Sequence, residues 1–202
     1  MANLDPQLER DAVDLITNCM YSVGFLHDIG DAIFSGNRDS LTVGKFYDGW
    51  FNATGRAQPV VPFNPGIVLA HMYVGILFAK ENWFDLIPDV DLAATSASSW
   101  GLLGARVVAA REPRPNLRYV VRRIRNSLGH GSPAISVPSS GLSRQNMMSV
   151  VSVTFRDVNQ RDPGDTFEAE AKLDQVFVLI KKFQEDVHQH VRTKYGVLSP
   201  QR

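Results

Sequence analysis

From Asp5 to about Gly36, apolar or small residues fall at Leu8, Ala12, Ile16, Cys19, Val23, Leu26, Gly30 and Ile33, stepping by three or four, with Pro6 suited to a first helical position. The spacing predicts a long amphipathic helix. The stretch Asn37 to Pro62 mixes Gly44, Gly49, Gly55 and Pro59 with Phe46, Tyr47, Trp50 and Phe51, which predicts a short helix inside an irregular, aromatic-rich connection. Asn64-Pro65 then offers an N-cap and a first-turn proline to a segment, Ile67 to Leu86, that is apolar nearly all round. That pattern predicts a central helix, stopped by Pro88. Asp91 to Ala110 reads as a further helical segment, weakened by the Ser/Thr run Thr95 to Ser99 and by Gly101 and Gly104.

Pro113 and Pro115 are expected to open the next helix, whose apolar positions Leu117, Val121, Ile124 and Leu128 fix one face toward the core. Arg118, Arg122, Arg125 and Gly129 fall on the remaining surface. Gly131, Ser132 and Pro133 end the helix, and Pro138 to Ser143 continues as a Ser/Gly loop. Beyond it the period changes to two. Val151, Val153 and Phe155 alternate with Ser152, Thr154 and Arg156, and Asp162-Pro163-Gly164-Asp165 turns the chain into Thr166 to Ala171, so a β-hairpin is expected at about 147–171. Leu173, Val176, Phe177, Ile180, Phe183, Val187 and Val191 mark a last amphipathic helix, to about Tyr195. The expected fold class is mainly α, a helical bundle with a small β-hairpin before the C-terminal helix. No repeat or composition shift divides the chain, so 1–202 is expected to be a single domain.

Composition changes this picture little. The 202 residues are 44% hydrophobic and 21% charged, enough apolar material for a real core, and the formal net charge is zero. An anionic partner would therefore have to meet a local patch. Cys19, the single cysteine, lies among Leu15, Ile16, Met20 and Val23, where burial is the ordinary expectation, and no disulfide can form within the chain. The first ten residues lack the pattern of a secretory signal, and no apolar run reaches the ~20 residues of a membrane helix. A cytoplasmic protein that avoids membranes is expected.

The local patch exists. Between Arg111 and Arg125 stand Arg111, Arg114, Arg118, Arg122, Arg123 and Arg125, opposed only by Glu112. Arginine keeps its charge and grips phosphate through a planar fork of donors, so such a helix could hold an RNA backbone; the competing reading is a solvated face paired with acids elsewhere. His130 adds chemistry, because an imidazole moves protons near neutrality while a guanidinium steadies charge on phosphate. Asn126 and His130 are four apart and share a helix face, and Arg125 lies about 100° from Asn126, within reach of the same spot.

The segment Arg125-Asn126-Ser127-Leu128-Gly129-His130 resembles the signature of the HEPN superfamily, an Arg separated by four to six residues from a His near a helix end, often with a polar residue directly after the Arg. Arg123 fits the longer spacing. The setting gives weight to an otherwise common spacing: Asn after Arg125, glycines on both sides of His130, and an amphipathic helix before them. The hairpin containing Thr154-Phe155-Arg156-Asp157, followed by a last helix, is similar to a nuclease subgroup of that superfamily.

The resemblance implies a homodimer that brings two motifs across one cleft, and metal-independent cleavage of RNA without cofactors. By it, Arg125 contacts the scissile phosphate, His130 moves protons and Asn126 positions them, with Arg118, Arg122 and Arg123 holding RNA. The ribose 2′-hydroxyl attacks the adjacent phosphate and leaves a 2′,3′-cyclic end. The family setting suggests a toxin or phage-defence effector and allows an antitoxin or activating partner. Its alternative is a non-catalytic HEPN module that binds RNA or a protein. Some HEPN toxins carry a modifiable Tyr two residues after the His; Ser132 stands there, which puts control by that route in doubt.

Other candidates carry less. His188 and His190, two apart on a helix, point to different faces without accompanying ligands, so no metal site is expected. His27, Asp28, Asp31 and His71 read as structural residues, and Glu81 as a minor cleft candidate. Ser127 and Ser132 lack a nucleophile elbow or oxyanion loop. Phe46 to Phe51 read as packing rather than a base-stacking platform.

Overall fold

The Asn116 side chain accepts a hydrogen bond from the Tyr119 amide at 2.8 Å, and this cap starts the helix that organises the candidate site. The computed structural model describes residues 21–29, 31–32, 42–55, 64–77, 79, 81–131, 133–138, 140–141 and 146–195. The expected helix start near Asp5, the burial of Cys19, the helix end near Gly36 and the position of Ser132 lie outside the described residues. The chain divides into two units, residues 1–70 and 71–202.

In the first unit, residues 21–29 form a helix (α1), and residues 31–32 are helical. Helix α2 (Val43–Ala53) is capped by Thr42, whose hydroxyl accepts from the Lys45 amide at 3.2 Å. Phe25 of α1 meets Phe46, Tyr47 and Trp50 of α2 edge-on at 5.5, 6.1 and 5.2 Å, so the aromatic run packs against other rings. Helix α3 (Pro65–Met72) begins as expected at Asn64, whose side-chain oxygen accepts from the Ile67 amide. The Asn64 amide in turn donates to buried Ser22 Oγ at 2.7 Å.

The expected central helix Ile67 to Leu86 is not continuous. After α3 the backbone widens into a π-helical turn, Tyr73–Leu77, and then tightens into a 3-10 helix, Glu81–Leu86. Gly75 in the wide turn lies against the last helix, where an added Cβ would come within 2.9 Å of the Ile180 side chain.

Asp91 to Ala110 departs further from expectation. Only Thr95–Trp100 is helical, as a 3-10 helix in which Ser98 Oγ donates to the Thr95 carbonyl. Gly101 ends it at φ 77, with a Cβ position 2.5 Å from the Gln175 carbonyl oxygen, a place only glycine fits. Arg106–Ala109 then forms strand β1. The Ser/Thr run that weakened the helical reading is the part that stays helical, and the strand is the Arg-Val-Val-Ala stretch beyond Gly104.

Helix α4 (Leu117–Gly129) starts after both prolines rather than on them. Its expected stripe Leu117, Val121, Ile124 and Leu128 is buried, and so is a second stripe of Val120, Arg123 and Ser127. Gly131, at φ 67, turns the chain into β2 (Ala134–Ser136), which a short helix α5 (Met147–Val150) follows. Strands β3 (Ser152–Val158) and β4 (Thr166–Lys172) are the predicted hairpin, starting later than residue 147. They are the middle of a four-stranded antiparallel sheet in the order β1-β4-β3-β2, with Phe155 opposite Ala169 and Ala134 opposite Thr154. The structure is mostly helical with this sheet. Helix α6 (Leu173–Tyr195) follows β4 directly and buries Leu173, Val176, Leu179, Ile180, Phe183 and Val187. Among the described residues, no helix is long and apolar enough to cross a membrane.

Candidate active site

Three side chains on one face of α4 converge on a single carboxylate. Arg123, Asn126 and His130 are spaced by three and four residues, so they stack along the helix. Asp157 comes to them from β3, where it continues the buried alternation of Val153 and Phe155 and is only 2% exposed. Its Oδ1 lies 3.0 Å from His130 Nδ1. Its Oδ2 pairs with Arg123 Nε at 2.7 Å and accepts from Asn126 Nδ2 at 3.3 Å.

Arg123 also binds Asp165 at the end of the hairpin turn, through Nη1 to the carboxylate at 2.9 Å and Nη2 to the carbonyl at 3.2 Å. Its guanidinium lies 5.7 Å from the Tyr119 ring centre and 5.6 Å from that of Phe167. The Asn159 amide, followed by Arg123, holds the Asp165 carboxyl below the usual carboxylate range. Burial pushes the Tyr119 hydroxyl up. Ser127 Oγ accepts from the Arg156 amide at 3.0 Å, tying the same face of α4 to β3. Such a cluster is costly to dehydrate; its opposite charges are paired, while Tyr119 Oη, Arg123 Nε and Asp165 Oδ1 are buried without a hydrogen bond.

His130 is the outlet of this cluster. It caps the C-terminal end of α4, its amide bonded to the Asn126 carbonyl at 2.9 Å, and its side chain is 43% exposed. The inner ring nitrogen is held by Asp157, and the outer one is available to a substrate. An anchored imidazole of this kind can take a proton from a hydroxyl or return one.

Arg125 lies elsewhere. Its Nη1 pairs with Glu81 at 2.8 Å, its guanidinium covers the Phe84 ring at 5.4 Å, and it is 31% exposed. The other candidate RNA contacts are occupied as well. Arg118 donates to the Ile87 and Asp85 carbonyls, and Arg122 pairs with the Asp85 carboxylate at 3.0 Å, which fastens α4 to the preceding 3-10 segment. Arg123 corrects the expectation of a surface contact with RNA: its side chain is 9% exposed and its donors are spent on Asp157 and Asp165.

A family model described as HEPN pEK499 p136 matches residues 18–194. The chain belongs to this HEPN family. Neither the search of curated proteins nor that of solved structures returned a match. In this HEPN chain, then, the structure joins Asn126 and His130 of the motif and sets Arg125 against Glu81.

The sequence reading missed the role of Asp157 and the burial of Arg123. Asp157 carried a signal, a charged residue in the inward phase of an apolar strand, and Arg123 carried another, its place between Val120 and Ser127 on a helix. The minor candidates find ordinary surroundings. His27 is exposed beside Asp28 and Asp31, whose acceptance and charge raise its pKa. His71 lies over Phe177, itself exposed despite its apolar spacing. Among the described residues, no group of three or more His, Cys, Asp or Glu could hold a metal ion.

Proposed function

We propose that this HEPN protein is a metal-independent endoribonuclease acting as a homodimer, with His130 moving the protons and Arg125 meeting the phosphate. The observation that carries this reading is His130 itself, anchored through Nδ1 with its side chain 43% exposed, at the end of an arginine-bearing helix. The outer nitrogen takes the proton of a ribose 2′-hydroxyl as its oxygen attacks the adjacent phosphorus. The bond to the 5′ oxygen breaks, and that oxygen leaves with a proton, which the second copy's His130 is suited to give. The products are a 2′,3′-cyclic phosphate and a 5′-hydroxyl.

Arg125 suits the phosphate because its present partner is weak. Glu81 is 64% exposed, and an ion pair at such a site is worth about 0–1 kcal/mol, so a phosphate can displace it. The biological setting, a toxin or phage-defence effector with an antitoxin or activator, rests on family membership alone.

The test is cleavage of RNA in EDTA by the protein and its His130→Ala and Arg125→Ala variants, with product ends analysed. Cleavage to cyclic ends, lowered at least about 100-fold in both variants, is expected. Equal cleavage by all three removes the assignment. No cleavage by any of them, with RNA or protein binding retained, supports the non-catalytic module instead.

A further inference from the structure

His130 meets a carboxylate whose second oxygen already faces the Arg123 guanidinium, as an ion pair, and one amide donor. Arg123 Nε lies 2.7 Å and Asn126 Nδ2 3.3 Å from Oδ2 of Asp157, which leaves Oδ1 for the imidazole at 3.0 Å. A carboxylate surrounded by an arginine and an amide donor accepts hydrogen bonds and offers none. The inner nitrogen of His130 must then carry the proton in the neutral ring, and the lone pair must sit on the outer nitrogen.

We propose that Asp157 is a positioning residue that fixes His130 in the Nδ1-protonated form with Nε2 bare and outward. Arg123 and Asn126 serve the same end by locking the carboxylate. This inference rests on the nuclease reading, for which it specifies how the base is oriented. A purely structural Asp157 would do no more than neutralise Arg123. The two roles differ in what they say of the imidazole proton, since charge neutralisation places no demand on the ring.

The test reads the ring directly. Full-length protein labelled with nitrogen-15 is examined by long-range proton–nitrogen correlation at a pH where His130 is neutral, with its signals assigned by their loss in His130→Gln. The expected pattern is a protonated Nδ1 and a bare Nε2. In Asp157→Asn, which keeps the side-chain volume, the proton is expected to move wholly or partly to Nε2. RNA cleavage should then fall at least about 100-fold in kcat with little change in KM, because Asp157 does not touch RNA.

A proton on Nε2 in the unaltered protein overturns the proposal, and this measurement does not depend on Asp157→Asn folding. An unchanged ring form and unchanged kcat in Asp157→Asn overturn it equally. The expected ring form in a protein that cleaves no RNA supports the positioning role and removes the nuclease reading, so the two failures are distinct.

Discussion

Arg123 and Arg125 leave the same helix two residues apart and meet opposite surroundings. Arg123 is 9% exposed between two carboxylates, and the Asp157 it holds is more buried still. Arg125 is 31% exposed, with one partner that is itself mostly in water. About 200° of helix rotation separates them. The same side chain is thus a fixed counter-ion on one face and a releasable contact on the other, and the difference comes from what packs opposite: strand β3 in one case, the rim of a 3-10 helix in the other.

The strongest test breaks the buried side. Arg123→Ala leaves the Asp157 carboxylate without its main partner in a nearly dry site, and a loss of about 3–5 kcal/mol in unfolding free energy is expected. Denaturant titration measures it. A loss below 1 kcal/mol would mean that water reaches the cluster and that the contrast with Arg125 is only apparent. A milder change on the same face is Ser127→Ala, which deprives the Arg156 amide of its acceptor, with about 1–3 kcal/mol expected to be lost.

Acid sharpens the same side through Asp165. Its folded-state pKa is lowered below the ordinary 3.8, chiefly by Asn159 and then by Arg123. A lowered carboxylate stabilises the fold above the unfolded value and loses that contribution as pH falls through the folded value. The stability gap between the protein and Asp165→Asn should therefore be full well above 3.8 and close progressively below it. Chemical denaturation at a series of pH values checks this, and a gap that widens in acid would contradict it.

How far the sequence disclosed this arrangement depends on the range of the interactions. The apolar stripe of α4, the Asn64 cap and the face shared by Asn126 and His130 follow from local spacing, and the structure contains them. The sheet was visible only in its middle, because β3 and β4 adjoin across one turn, whereas the three-residue β2 and the four-residue β1 are strands only by virtue of their neighbours. The His130–Asp157 contact spans 27 residues, and no periodicity indicates which strand lies beneath a helix. Arg123 was misplaced for the same reason. Counting only apolar positions narrowed the buried face of α4 and left a charged residue outside it.

The smallest effect on stability is expected where the comparison matters most for function. Glu81→Gln removes the charge opposite Arg125 but leaves the guanidinium resting on Phe84, 5.4 Å from the ring centre. Exposed pairs contribute little, so unfolding free energy should change by less than about 1 kcal/mol. RNA binding should respond the other way. With no carboxylate competing for it, Arg125 would be freer to meet phosphate, and affinity should rise a few-fold at low salt, with the gain shrinking as salt screens it. Fluorescence anisotropy with labelled RNA measures the change, with Arg125→Ala as the reference that loses it. A stability loss as large as that of Arg123→Ala would show that both arginines are structural, and Arg125 would then have no claim on the substrate.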